Sequence, residues 1–181
     1  MNVGLNGKLQ LAAWSLQAES NYFLRSSSDF IRFLPLGPFG EFENLTNVKS
    51  EGVEGSLTIE FKQFLLLSGN VTFQNITDQN EFDEGLENVN YQSRIPNVPY
   101  LFANTRVGIR PINNQDHQLG IFWSSKFIEA FFLNWEKLGS ANTKNIIPKQ
   151  LTHQMDIEYA FQDGRYNLSC SVFNLTNAKV F

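Results

Sequence analysis

LTHQMDIEYAFQDGRYNLSCSVFNLT, residues 151 to 176, is the stretch from which the rest of the chain can be read. Two alternating segments flank Asp163-Gly164, and Asp-Gly between such segments marks a type I′ hairpin turn, because both central residues must take positive φ. With those two residues central, opposed residue numbers sum to 327. Phe161 then faces Tyr166, Tyr159 faces Leu168, Ile157 faces Cys170 and Met155 faces Val172. The interleaved set pairs Ala160 with Asn167, Glu158 with Ser169 and Asp156 with Ser171. Directly opposed residues on an antiparallel pair share a side of the sheet, so one face is apolar and the other carries carboxylates and hydroxyls.

The same period of two recurs upstream. Trp14, Leu16, Ala18, Tyr22 and Leu24 alternate with Ser15, Gln17, Glu19, Asn21 and Arg25, in a segment expected to run as one strand from Lys8 to Phe33. Leu34 to Asn47, with two prolines and two glycines, reads as a loop. Strands follow from Val48 to Phe61, from Leu65, from Leu101 and from Leu119 to about Asn134. Tight turns are expected near Lys62 to Phe64 and Pro111 to Gln118, and long connections at Asp78 to Pro99 and Trp135 to Lys149. Phe122, Ile128 and Phe132 make the even face of the fifth strand less cleanly polar. The expected fold class is therefore all-β, an antiparallel up-and-down meander of about seven long strands. Long and short connections alternate strictly, which sets all long loops at one end and all tight turns at the other, as in outer-membrane barrels.

Composition agrees with an all-β chain. Aromatics make up 14%, with 17 Phe, while charged residues are 18% against roughly 25% in typical soluble domains. The formal net charge is −4 and no basic run occurs, so no nucleic-acid partner is expected. The single cysteine, Cys170, cannot form an internal disulfide. Met1 to Trp14 has no cationic start and no continuous apolar run, unlike a signal peptide. No stretch reaches the ~18 apolar residues of a membrane-spanning helix.

Alternation leaves two solutions open. In a soluble sandwich the apolar face is the core; in a membrane barrel it meets lipid, and the polar face lines the interior. Strand length favours the barrel, since a tilted span needs only about 9 to 11 residues. So do Tyr159, Phe161 and Tyr166 beside the tight turn, where a girdle at the membrane boundary is expected. The expected inner face carries unlike charges: Glu19, Arg25, Glu54, Glu60, Arg106, Arg110, Asp156 and Glu158. The competing reading is a soluble all-β sandwich, a binding module for carbohydrate.

Several segments carry a family resemblance. Asn145-Ile-Ile-Pro-Lys-Gln-Leu151 through Tyr159-Ala-Phe161, then Asn167-Leu-Ser-Cys-Ser-Val-Phe-Asn-Leu-Thr-Asn-Ala-Lys-Val-Phe181, resembles the C-terminal barrel strands of TonB-dependent outer-membrane receptors. Arg94-Ile-Pro-Asn-Val-Pro99 and Gly52-Val53-Glu54 resemble strand starts of the same family, and the Asn-rich character is similar to receptors of Bacteroidetes-type bacteria. The resemblance implies a Gram-negative outer-membrane protein that imports a scarce nutrient such as an iron chelate, a vitamin or a glycan. It implies membrane lipid, the nutrient, the rest of the barrel, a plug domain and TonB as partners. Residues 1–181 then form a partial barrel, with plug, TonB box and final strand absent from the chain.

No catalytic motif is present, so no enzymatic activity is expected, and no cofactor or metal is implied. His117 falls on a turn and His153 on the apolar face. Asp78, Glu81, Asp83, Glu84 and Glu87 crowd one long loop, but Phe82 falls where a calcium ligand would be needed, so a solvated charge run is expected. Five aromatics of the long connections, Phe39, Phe42, Tyr91, Tyr100 and Trp135, are the candidate substrate-binding residues, because an aromatic ring offers an apolar face to a sugar or siderophore. Anchoring at the membrane interface and packing between the loops are the alternative uses for them.

Overall fold

The computed structural model describes residues 1–36, 39–45, 47–83, 85–136 and 146–180, with the side chains at 32–36, 39, 41 and 43 outside the description. In chain order the strands are β1 (Asn2–Leu11), β2 (Trp14–Ser27), β3 (Phe30–Leu36), β4 (Phe39–Leu45), β5 (Val48–Phe61), β6 (Leu65–Asp78), β7 (Phe82–Asp83), β8 (Leu86–Glu87), β9 (Leu101–Asn113), β10 (His117–Ile128), β11 (Phe131–Phe132), β12 (Ile146–Ile147), β13 (Gln150–Phe161) and β14 (Tyr166–Val172). Eight of them form one antiparallel sheet in the order β1-β2-β5-β6-β9-β10-β13-β14, and the other six make two-stranded ribbons in the long connections. Strand follows neighbouring strand throughout the main sheet, which is the up-and-down meander the alternation predicts.

The β13–β14 register runs Phe161↔Tyr166, Tyr159↔Leu168, Ile157↔Cys170 and Met155↔Val172, as the turn chemistry requires. Asp163 and Gly164 both have positive φ, at 55° and 77°, and the Arg165 amide donates to the Gln162 carbonyl. The N-terminal expectation of a single strand from Lys8 to Phe33 is overturned. The chain reverses at Ala12-Ala13, giving an eighth sheet strand, and breaks again after Ser27. Ala12 takes φ 47°, so the turn forms without any of the residues that usually announce one. The expected loop from Leu34 to Asn47 is largely the ribbon β3–β4, with its Gly37-Pro38 tip outside the described residues. The turn expected from Pro111 to Gln118 shrinks to 114–116. Pro111 stays in β9 at a β-bulge opposite Gly120, where a missing N–H costs no ladder bond.

Register carries side chains across the sheet in continuous rows. One outward row reads Leu11, Trp14, Phe61, Leu65, Ile109, Ile121, Ile157, Cys170; the next reads Leu9, Leu16, Ile59, Leu67, Val107, Trp123, Met155, Val172. The last apolar row toward the long connections holds Val3, Tyr22, Val53, Phe73 and Leu101. From Phe61 to Val53 is about 26 Å of strand, or about 20 Å of height at a tilt near 40°. Beyond it the same face turns polar at Glu51, Lys49 and Asn75.

These apolar side chains are not a core. Leu57, Val71 and Ile157 stay 42%, 45% and 40% exposed. A sandwich would bury them, so the competing sandwich reading fails here. Rings cluster at the tight-turn edge of the band: Trp14 on Phe61 at 4.6 Å, Tyr159 on Phe161 at 5.6 Å and Phe161 on Tyr166 at 5.2 Å. The Tyr159 hydroxyl lies 2.8 Å from His117 Nδ1.

The opposite face is polar with built exceptions. Phe122 is buried flat over Gly108 and Gly120, where any added Cβ would collide with its ring. The Arg106 guanidinium covers that ring at 4.2 Å and reaches Glu158 Oε1 at 3.3 Å. Asn104 Nδ2 donates to Asn70 Oδ1 at 3.0 Å, while Ser171 Oγ and Gln154 Nε2 each donate to Asp156 Oδ1 at 2.7 Å. Phe23 sits over Gly52 in the same way. At these two positions the neighbouring strand gives up its side chain to the ring.

Two outcomes follow. Leu57→Arg, in the middle of the apolar band, should destabilise the protein folded in bilayers by about 2–4 kcal/mol, whereas Thr58→Arg, one residue along, should be near neutral; urea titration in lipid vesicles measures both. Gly108→Ala should cost about 1–3 kcal/mol from the clash with Phe122. A double-mutant cycle with Phe122→Ala should recover most of that loss.

Candidate functional site

The tight turns at 12–13, 62–64, 114–116 and 162–165 lie at one end of the sheet, and the connections 28–47, 79–100 and 129–149 lie at the other. The main-sheet face offers little to bury, so the described hydrophobic core is built by these long connections. Leu45 from the first, Val48 at the start of β5, Ile95 from the second and Trp135 from the third pack together, with Phe30, Ile76 and Val98 against them. Val48 and Ile76 have the parity of the polar face, so the connections gather on the concave side, over the mouth of the polar wall. The Asn97 amide donates to the Phe132 carbonyl at 2.6 Å, tying the second connection to the third.

Asp78 anchors the second connection and is almost fully buried. Its carboxylate accepts from the Asn80 amide at 2.9 Å, from Asn80 Nδ2 at 2.6 Å and from Asn88 Nδ2 at 2.8 Å. Asn88 Oδ1 in turn accepts from the Asn90 amide at 2.9 Å. The solvated charge run expected here is therefore corrected for Asp78, which braces the loop through asparagines; Glu81, Asp83 and Glu87 are exposed. Glu84 lies outside the described residues.

The five candidate aromatics do not form one binding surface. Trp135, 6% exposed, is spent in the loop core. Tyr91 donates its hydroxyl to Glu81 Oε1 at 3.1 Å and is half-buried on the acidic loop. Tyr100 stands edge-on to Phe73 at 6.2 Å, with the Arg94 guanidinium over its face at 4.6 Å, which puts it on the outward side of the sheet. Phe42, on the ribbon β3–β4, is 73% exposed. Phe39 pairs through its backbone with Leu36, and its side chain lies outside the described residues.

The concave wall below the loops encloses about 750 Å³, lined among others by Asn70, Asn104, Arg106, Lys126, Thr152 and Gln154. Hydroxyls and amides predominate, in keeping with a hydrated interior. Its size falls in the range of small-molecule sites. Nothing in the sequence of any one strand announces it, because its lining comes from five strands brought side by side by register and from Phe173, Asn174 and Val180 after β14.

Trp135→Ala should loosen the three connections together, at a cost of about 3–5 kcal/mol to their local stability, while leaving the main sheet intact. Limited proteolysis of the folded protein in detergent tests this: cleavage should move into all three long connections and not into the tight turns.

Comparison with known families agrees with the geometry. The chain matches the family described as TonB dependent receptor-like, beta-barrel over residues 1–175. A search of curated proteins found none that matches this chain. An antiparallel meander, an apolar band on one face, a polar wall on the other and long connections at a single end are the features such a barrel requires. This chain belongs to the TonB-dependent receptor β-barrel family of Gram-negative outer-membrane receptors and transporters.

Proposed function

We propose that the chain supplies part of the wall and external surface of a receptor that captures a scarce nutrient, an iron chelate, a vitamin or a glycan, at its long connections and passes it inward. The observation that carries this reading is the inward lean of those connections: they fold together over a polar concave wall through Leu45, Val48, Ile95 and Trp135, as a capture surface above a transport path must. The energy comes from the inner membrane through TonB. Residues 1–181 are one part of a larger barrel in this proposal, with a plug, a TonB-binding segment and further strands supplied by the parent protein. In support, β1 and β14 each pair with a neighbour on one side only, and an open edge in a membrane calls for a partner strand. The Asn-rich composition supports a Bacteroidetes-type source. Of the five aromatics, the reading takes Phe42, 73% exposed on the ribbon β3–β4, and Tyr91 on the acidic loop as the nutrient contacts, with Phe39 of the same ribbon beside Phe42.

Growth and uptake test the proposal. Cells lacking the parent protein should fail to grow when one such nutrient is limiting. Uptake should vanish when TonB is deleted, and Phe42→Ala with Tyr91→Ala should weaken nutrient binding about fivefold, in the range of about 1 kcal/mol. Unchanged uptake in the deletion strain across iron chelates, vitamins and glycans would contradict it.

A further inference from the structure

The second connection closes around a buried carboxylate. Thr77 and Arg94 form an antiparallel bridge, so Asp78 and Ser93 stand opposite each other on the concave side. The Asp78 amide donates to the Ser93 carbonyl at 3.1 Å. Two successive turns lead into Ser93: the Tyr91 amide donates to the Asn88 carbonyl at 3.1 Å, and the Ser93 amide to the Asn90 carbonyl at 2.8 Å. Asn88 Nδ2 reaches Asp78 Oδ2 at 2.8 Å, which brings the start of these turns back onto the carboxylate. Asp78 is 1% exposed and Ser93 7%. Ser93 Oγ and Asn90 Oδ1 are both buried and have no hydrogen-bond partner among the described groups. The donors to Asp78 are all neutral amides, and among the described residues no cation pairs with it. Arg94, next to Ser93 in sequence, lies on the other face, against Asn75 and Tyr100.

A buried charge is costly unless a counter-charge or a metal meets it, and so is a buried polar oxygen left without a partner. Asn90 Oδ1 and Ser93 Oγ each keep their acceptor lone pairs, and Asp78 Oδ2 has capacity beyond the one bond to Asn88. One hard cation among them answers all three demands. The donors are oxygen only, and no group of three or more His, Cys, Asp or Glu side chains that could hold a metal gathers among the described residues, so the set does not suit zinc or a softer metal. Calcium takes about six to eight oxygens from carboxylates, amide carbonyls and water in a flexible arrangement, whereas magnesium demands a near-ideal octahedron. We propose that Asp78, Asn90 and Ser93 bind a calcium ion at the base of the second connection, with Asn88 positioning the carboxylate. Val48, opposite Asp78 in the register, and Ile95, two residues beyond Ser93, both belong to the loop core, so the ion clamps the second connection to that core. The exposed Glu81, Asp83 and Glu87 attract cations to the loop without supplying ligands. This inference stands on the buried oxygens and holds whichever nutrient the loops capture.

Calcium chloride, added to the chelator-treated protein in detergent, is the probe, and calorimetry with amide hydrogen exchange reads the result. The wild type should bind calcium with a Kd of about 10⁻⁴ to 10⁻³ M, the range of extracellular calcium modules, and magnesium at least about tenfold more weakly. Exchange at the amides of residues 88–95 should slow on binding, while that of β5 and β6 stays the same and reports that each variant is folded. Asp78→Asn should weaken calcium about a hundredfold and Ser93→Ala about tenfold, as the loss of a charged and of a neutral ligand. Without calcium, Ser93→Ala should leave exchange of the loop equal or slower, since it removes an unpartnered buried hydroxyl. Glu87→Gln, on the exposed side of the same loop, should change the affinity less than about twofold. No slowing of exchange at 88–95 by calcium, equal affinity in wild type and Ser93→Ala, or a greater loss from Glu87→Gln than from Ser93→Ala would overturn the proposal. Equal affinity for magnesium would overturn it as well, by showing diffuse attraction to the exposed acids.

Discussion

Every main-chain N–H and C=O that enters a hydrocarbon layer must find its partner within the protein, and a sheet meets that demand only through an unbroken ladder between neighbouring strands. The rest of this structure depends on that ladder. Its register fixes which residues share a row, and the rows fix which face each residue meets. Leu57 and Thr58 differ by one position and face opposite environments. A slip of one residue between β5 and β6 would turn the Phe61, Ile59 and Val53 rows into the polar wall and set Glu60, Thr58 and Glu54 against lipid. Turns with positive φ at Lys62-Gln63 and at Asp163-Gly164 hold the register of their hairpins from the tight-turn end.

The ladder also explains where packing energy is found. With one face given to lipid and the other to water, the main sheet has no interior of its own. Side-chain burial moves to two places. Phe122 and Phe23 lie over glycines on the polar wall, where backbone accepts a ring in place of a neighbouring side chain. The connections make the second, by joining Leu45, Val48, Ile95 and Trp135 across segments far apart in sequence. Function follows from the same division, because loops that pack on each other over the concave side present a preformed surface above the wall.

Much of the fold was legible in the residues. Asp163-Gly164 and strict alternation determine the β13–β14 pairing without reference to anything distant, and every expected pair from Met155 to Phe161 is present. The reversal at Ala12-Ala13 is silent in the local sequence because alanine carries no turn signal. Its trace lies in the phase of the pattern, where apolar residues shift from odd positions, Leu5, Leu9 and Leu11, to even ones, Trp14, Leu16 and Ala18. The ribbon β3–β4 was hidden by Pro35 and Gly40, which sit opposite each other in it. The candidate site was less legible, for a physical reason. Whether a loop aromatic faces solvent depends on partners supplied by other loops: Trp135 is buried by Leu45, Val48 and Ile95, and Tyr100 is turned outward by Phe73 and Arg94. Local sequence carries no record of those encounters. Asp78 was likewise hidden among exposed acids, since its burial rests on Asn80 and Asn88 folding back onto it.

The central claim is that alternate residues of each strand meet lipid and water. A spin label placed in turn at each residue from Gly55 to Phe61 of β5, in the protein folded into lipid bilayers, tests it most directly. Accessibility to oxygen should peak at 55, 57, 59 and 61 and accessibility to a water-soluble nickel chelate at 56, 58 and 60, the period of two expected of a wall between lipid and a hydrated interior. A scan in which the odd positions are shielded from both reagents would show an apolar core instead and contradict the account.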